Sequence, residues 1–181
     1  VKFIKGDDER GSQFLETLGL APDDRYVCLI VRDSAYKEKY QNWDNADWSY
    51  HNYRDTDIET YNNTARALAE KGYWVFRMGK AVDKPFMVDH PHVLDYANSF
   101  HRSDFLDIWL MANCHFCIST GTGIDMVACV YQRPLVMVNY LPLSTITVFC
   151  QVVTVPKKLV WENKESGKLS LQEQLQHNYS R

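Results

Sequence analysis

The strongest constraint on the fold is the region 103–139, in which segments of helical length alternate with short apolar segments. In chain order these are a helix over 104–113, a strand over 115–119, a glycine-containing turn, a helix over 124–131 and a strand over 134–139. This alternation is typical of a parallel sheet whose strands are connected by helices. The region therefore predicts an α/β fold.

The rest of the chain extends the same pattern. A near-continuous apolar run at 26–31 predicts a strand that is buried on both faces, and a second strand is predicted at 73–76. A capping box at 56–59 predicts a helix that ends at Gly72. The remaining predicted elements are a short helix over 13–20, a short strand over 93–96, an edge strand within 147–161 and a helix over 169–176. Together they predict a single domain over 1–181.

Size and charge exclude several classes of function. The chain has 181 residues and a formal net charge of −3, so it lacks the positive charge with which a nucleic-acid-binding protein holds phosphates, and nucleic acid is not an expected partner. No apolar run approaches the roughly 20 residues of a membrane-spanning helix. No signal-peptide pattern opens the chain. We therefore expect a cytoplasmic protein.

The cysteines indicate packing rather than chemistry. There are five, and Cys28, Cys117 and Cys129 lie in apolar runs, as reduced core thiols do. Cys114 and Cys117 have the C-x-x-C spacing of redox pairs and zinc sites. A redox pair normally begins a helix, whereas this one falls between a helix and a strand, and no second pair of zinc ligands follows at suitable spacing. Core packing is the favoured interpretation, and no metal site is predicted.

A candidate binding site lies in the turn Ser119, Thr120, Gly121, Thr122, Gly123, directly after a predicted strand. In a parallel sheet such turns lie at the carboxyl edge, where ligands bind. Glycines permit positive φ and close approach of the backbone, and free N–H groups that open the next helix favour a phosphate. The alternative is a turn that only reverses the chain, with Thr122 as a helix cap.

Two further predicted strands end in arginine. Arg32 and Ser34 follow the strand at 26–31, and Arg77 and Gly79 follow the strand at 73–76. An arginine at the carboxyl edge can hold a phosphate by a bidentate contact. For both arginines the alternative is a salt bridge with an acid, which for Arg32 could be the adjacent Asp33.

Seven segments cover most of residues 26–160 and carry a family resemblance through their order and spacing. They are VRDSAYK (31–37), YRDTDIETY (53–61), GYWVFRMGK (72–80), LDYANS (94–99), SDFLDIWLMANC (103–114), STGTGID (119–125) and PLVMVN (134–139). Together they resemble a family of glycosyltransferases encoded in bacterial surface-polysaccharide clusters. More distantly, the chain resembles the donor-binding, C-terminal half of two-domain GT-B type transferases, including fucosyltransferase-like enzymes.

The resemblance implies a three-layer, Rossmann-like parallel sheet with helices on both faces, corresponding to one half of a GT-B protein. It implies a nucleotide-sugar donor, a glycan acceptor and synthesis of cell-surface polysaccharide, with no metal or other cofactor. It also implies that an N-terminal acceptor domain is missing from this chain. A location at the periphery of the inner membrane is left open.

The resemblance further assigns residues to the donor. The donor's phosphates would be held by Arg32, Ser34, Arg77, Gly79, Ser119, Thr120, Gly121, Thr122 and Gly123. The nucleoside would be held by Asp95, Tyr96, Asn98, Ser99 and Ser103. No catalytic base is assigned, and the candidates are His51, Asp33 and Asp125. A non-catalytic nucleotide- or phosphate-binding module is the alternative function, whereas a hydrolase or reductase would need a G-x-S-x-G or Rossmann fingerprint that the sequence lacks.

Overall fold

The fold, obtained as a computed structural model, describes residues 2–40, 49–141, 149–161 and 167–176. Within them, six strands form one sheet in the order β3-β2-β1-β4-β5-β6, and every neighbouring pair is parallel. The strands are β1 (Arg25–Ile30), β2 (Tyr73–Arg77), β3 (Val93–Leu94), β4 (Phe116–Ser119), β5 (Leu135–Tyr140) and β6 (Val152–Pro156). This order is that of doubly wound nucleotide-binding sheets. The predicted parallel α/β fold is confirmed.

Helices occupy most of the connections. They are α1 (Lys5–Thr17), α2 (Ala35–Tyr40), α3 (Asn62–Glu70), α4 (Asp104–Asn113), α5 (Asp125–Val130) and α6 (Leu171–Gln176), with 3-10 turns at Ser49–Arg54, Ile58–Tyr61 and Tyr96–Asn98. The helix predicted over 13–20 in fact begins at Lys5, and neither α2 nor the turn at Ser49–Arg54 was predicted. In the part of the chain described, no helix is long and apolar enough to cross a membrane.

The core is divided by the sheet into two apolar clusters. Alternate residues of β1 point to opposite faces, so Cys28 packs with α1, α4 and α5, whereas Leu29 packs with Ile58 and with α3. This arrangement produces the predicted three layers, with helices on both faces of the sheet. Val27, Cys28 and Leu29 are at most 1% exposed, which explains why their sequence shows an apolar run rather than alternation.

The C-x-x-C pair belongs to this core. Cys114 and Cys117 are completely buried in the cluster on the α4 face, and the Cys114 thiol donates to the carbonyl of Met111. Burial raises the pKa of the Cys117 thiol well above its ordinary value. Both cysteines therefore pack in the core, as the sequence analysis favoured.

Candidate functional site

The candidate site lies where the strand order reverses, at the carboxyl ends of β1 and β4. The backbone N–H of Arg32 donates to the hydroxyl of Thr120 over 2.8 Å, and the N–H of Thr120 donates to the carbonyl of Ile30 over 3.1 Å. These bonds hold the first residues beyond the two strands side by side. In doubly wound sheets, ligands bind in the crevice at this position.

The turn at 119–123 is organised by the buried carboxylate of Asp125, which is 3% exposed. Its Oδ2 accepts the hydroxyl of Ser119 over 2.6 Å and the N–H of Thr122 over 2.8 Å. The Ser119 hydroxyl in turn accepts the N–H of Gly121 over 3.0 Å. The amides of Gly121 and Thr122 are therefore satisfied within the turn, so these two do not have the free N–H groups expected for a phosphate cradle.

The two glycines of the turn have different roles. Gly121 has a φ of +88°, and a Cβ added to it would lie 2.6 Å from the ring of Tyr140. Gly123 has open space where a Cβ would stand and is not among the positive-φ residues. Gly121 is thus required by the fold, whereas Gly123 leaves an open surface beside the cleft. Thr122 does not cap α5, whose cap position is Ile124.

Three basic side chains converge on the cleft. Arg32 is 13% exposed and pairs through Nε with Asp55 over 3.0 Å, so its acidic partner is Asp55 rather than the adjacent Asp33. Arg54 donates through Nη2 to the carbonyl of Gly121 over 3.2 Å. Burial lowers the pKa of Lys37, and the positive charges of Arg32 and Arg54 lower it further. Mutual repulsion of this kind is relieved when an anion binds.

Two cavities meet at the turn and share Arg32, Thr122 and Gly123. The first chamber, of about 460 Å³, has apolar walls that include Met78, Val82 and Ile124. Tyr36, Lys37, Asp33 and the predicted Gly79 also line it. The second chamber, of about 290 Å³, is lined by Arg54, Asp125, Gly121 and Tyr140 beside the shared residues. Ser34 lines neither of them and instead borders a smaller acidic cavity with Asp33, Asp55 and Asp57.

Arg77 is completely buried, in contrast to Arg32. Its Nη1 lies 3.1 Å from Oδ1 of Asp95, and its Nη2 lies 3.8 Å from Oδ2 of Asp33. Asp95 also accepts the N–H of Phe86 and the side-chain amide of Asn98. The salt-bridge alternative therefore describes Arg77 in this structure, and its guanidinium lies away from both chambers.

The residues assigned to the nucleoside make internal contacts. Tyr96 is fully buried, and its hydroxyl accepts the N–H of Ser103 over 3.1 Å. The Ser103 hydroxyl caps α4 by accepting the N–H of Leu106, and the Ser99 hydroxyl donates to the Tyr96 carbonyl. Among the described residues, five that were assigned to the nucleoside line neither chamber: Asp95, Tyr96, Asn98, Ser99 and Ser103. These residues shape the loop before α4 rather than the cleft.

The base candidates have separate positions. Asp33 lines the first chamber, and burial raises the pKa of its carboxyl, although the N–H groups of Ala35 and Asp83 donate to it. The carboxyl of Asp125 accepts hydrogen bonds from within the turn. The side chain of His51 lies outside the described residues.

The sequence did not reveal three residues that line or border the cleft, namely Lys37, Arg54 and Asp55. Arg54 and Asp55 are adjacent in the sequence, as Arg32 and Asp33 are. This repeated Arg–Asp dipeptide is the one sequence signal that could have pointed to Arg54 and Asp55.

Two solved structures share the fold of this chain. No family model matches the chain, and no curated protein matches its sequence. A glycosyl transferase family 9 structure from Veillonella parvula DSM 2008 is similar, with a TM-score of 0.59 and 13% identity over 92% of this chain and 48% of that one. The E. coli ADP-heptose lps heptosyltransferase II is similar with a TM-score of 0.53 and 12% identity over 88% and 45%. The chain thus spans about half the length of these structures and has the Rossmann-like fold found within them.

Proposed function

We propose that the chain is the donor-binding domain of a metal-independent, GT-B type glycosyltransferase. It would transfer a sugar from a nucleotide-sugar to a glycan acceptor in bacterial cell-surface polysaccharide synthesis. The observation that carries the proposal is the position of Arg32, which stands where the strand order reverses and opens onto both chambers. The fold shared with two glycosyltransferase structures supports it, and one of them is named for the nucleotide-linked sugar ADP-heptose.

The two chambers suit the two ends of such a donor. The first chamber is larger and mainly apolar and includes Tyr36, so it fits a base and ribose, which need a flat apolar surface with a few polar contacts. Arg32 and Lys37 at its border would hold the diphosphate. Arg32 pairs with Asp55 through Nε. This pair leaves Nη1 and Nη2 of Arg32 to donate to phosphate oxygens. The sugar would then occupy the second chamber.

The chemical step follows from this placement. As the bond between the anomeric carbon and the diphosphate oxygen breaks, negative charge builds on the leaving diphosphate. The fixed positive charge of Arg32 stabilises that charge. An acceptor hydroxyl attacks the anomeric carbon and gives its proton to a base. In this proposal, the acceptor and the base come from an acceptor-binding half outside this chain.

Calorimetry and thermal melting with UDP, GDP, CMP and ADP test the donor site. We expect one nucleotide to bind and to raise the melting temperature, since a ligand that binds the folded state stabilises it. Loss of a hydrogen bond to a charged group costs roughly 1.5–3 kcal/mol, so Arg32→Ala should weaken binding by about 10- to 100-fold. Arg32→Lys, which keeps the charge, should weaken it less.

The matched control is Arg66→Ala, because Arg66 is exposed on α3 and lines none of the three cavities. It should leave the affinity unchanged. Failure of all four nucleotides to bind the folded protein would contradict the proposal, as would equal affinity for the parent and Arg32→Ala. Nucleotide binding without sugar transfer, in the presence of an acceptor-binding half, would favour a non-catalytic nucleotide-binding module instead.

A further inference from the structure

The first chamber is lined by Arg32 together with the two lysines Lys37 and Lys80 and the carboxyl of Asp33. The second chamber is lined instead by two guanidinium groups, those of Arg32 and Arg54, together with the turn, the carboxyl of Asp125 and the ring of Tyr140. It is also the smaller chamber, at about 290 Å³ against about 460 Å³. The part of a donor that binds there lies next to two guanidinium groups.

Arg54 has donors that the described protein does not use. A guanidinium carries five N–H donors in a fixed planar arrangement. Nη2 of Arg54 donates to the Gly121 carbonyl, but Nε is buried and has no hydrogen-bond partner among the described residues. A buried donor of a charged group is costly to leave without an acceptor. Nε of Arg54 is therefore a donor that an oxygen of a bound ligand could satisfy.

The carboxylates of Asp125 and Asp55 have hydrogen-bond partners other than Arg54. Asp125 Oδ2 accepts from Ser119 and Thr122, and Asp55 pairs with Arg32. Burial raises the pKa of the Asp125 carboxyl, and Asp125 is close enough to Arg54 for that positive charge to oppose the rise in part. Arg54 thus forms no hydrogen-bonded ion pair with a carboxylate among the described residues.

We propose that the second chamber selects a donor whose sugar carries a carboxylate, as a uronic acid does, and that Arg54 binds this carboxylate. The inference rests on the proposed function, because it places the donor's phosphate at Arg32. In a hexuronic acid the carboxylate and the anomeric phosphate lie on opposite sides of the ring oxygen. Because Arg32 and Arg54 line the same chamber, a sugar bound there would present its phosphate to Arg32 and its carboxylate to Arg54. A neutral sugar offers Arg54 hydroxyl oxygens alone, and these form weaker bonds than a carboxylate.

Two sugar phosphates test the inference without knowledge of the nucleotide. Glucose 1-phosphate and glucuronic acid 1-phosphate differ in the group at C6, and their affinities for the protein can be measured by calorimetry. We expect the glucuronic acid compound to bind about tenfold more tightly, through one charge-assisted bond. Arg54→Gln should abolish this preference, by weakening the binding of glucuronic acid 1-phosphate much more than that of glucose 1-phosphate. Arg54→Lys should retain part of the preference. Arg66→Gln, which removes the same charge from an exposed position on α3, should retain all of it.

Several results would overturn the inference. Equal affinities in the parent would do so, as would a loss of both affinities in Arg54→Gln, which would place Arg54 at the phosphate. If a nucleotide binds while neither sugar phosphate does, or while the two bind equally, the inference fails and the proposed donor site stands. If neither nucleotides nor sugar phosphates bind, both fail. Should Arg54→Gln not fold, the parent comparison and Arg54→Lys decide.

Discussion

Substitution of Gly121 by alanine tests the architecture of the turn, because the structure allows the cost to be divided into two parts. Gly121 and Gly72 have nearly the same positive φ, +88° and +86°. A Cβ at Gly72 would meet nothing within 4 Å, whereas a Cβ at Gly121 would lie 2.6 Å from the Tyr140 ring. Gly72→Ala therefore reports the backbone cost alone, and Gly121→Ala adds the steric cost.

The expected magnitudes follow from these contacts. An alanine in the left-handed region costs roughly 1–2 kcal/mol, so Gly72→Ala should lower the free energy of unfolding by about that amount. Overpacking adds about 1–3 kcal/mol, which gives about 2–5 kcal/mol for Gly121→Ala. In a chain of this size that corresponds to a melting temperature about 4–20 °C lower. Gly123→Ala, with open space and no positive φ, should stay within about 0.5 kcal/mol of the parent.

Urea denaturation of the parent and the three variants measures these differences. The reasoning predicts the order Gly121→Ala, Gly72→Ala, Gly123→Ala from most to least destabilised. If Gly121→Ala is no more destabilising than Gly72→Ala, the close approach of Tyr140 does not exist in solution. If Gly123→Ala is as costly as Gly121→Ala, the distinction drawn between the two glycines of the turn is wrong.

Two further predictions concern buried charge. Asp95→Ala should lower the free energy of unfolding by roughly 3–5 kcal/mol in urea denaturation, because it leaves the fully buried Arg77 without its close partner. Glu9→Ala, which breaks an exposed pair, should be nearly neutral, and equal effects of the two would contradict the assignment. Burial raises the pKa of Asp125 above its ordinary 3.8, so its contribution to stability is complete below that value and is lost as the pH rises through the raised pKa. The stability of Asp125→Asn relative to the parent should therefore increase as the pH rises above about 4 in urea denaturation, and a constant difference would show that the folded pKa is not raised.

The parallel sheet was predictable because its signal is local. The strand over 26–31 shows as an apolar run since both of its faces are covered, and the segments of 103–139 follow one another without long insertions. The strand order was not predictable, because pairing between β1 and β4 joins residues about 90 positions apart along the chain. Without that pairing, the sequence cannot show that Arg32 and Thr120 are neighbours.

The errors in the helices have a tertiary cause. The segment before residue 13 was not predicted to be helical, and it contains Gly11, a residue that weakens an isolated helix. In the structure a Cβ at Gly11 would lie 2.1 Å from the indole of Trp109. The glycine is therefore needed for α1 to approach α4, and the helix is stabilised by that packing rather than by its own propensity.

Arg32 and Arg77 both form salt bridges, but only Arg32 borders the two chambers. Both arginines follow an apolar strand and precede a glycine or serine within two residues, so the sequence gives them similar signals. The chain that leaves β1 turns toward β2, and the chain that leaves β4 turns toward β5 on the other side. Because these connections diverge, the edge between β1 and β4 stays open, and Arg32 borders two chambers there. At β2 no such divergence occurs, and Asp95, which follows β3, reaches the arginine instead. The position of a strand in the sheet, rather than the identity of the residue that ends it, thus determines which arginine borders the open edge.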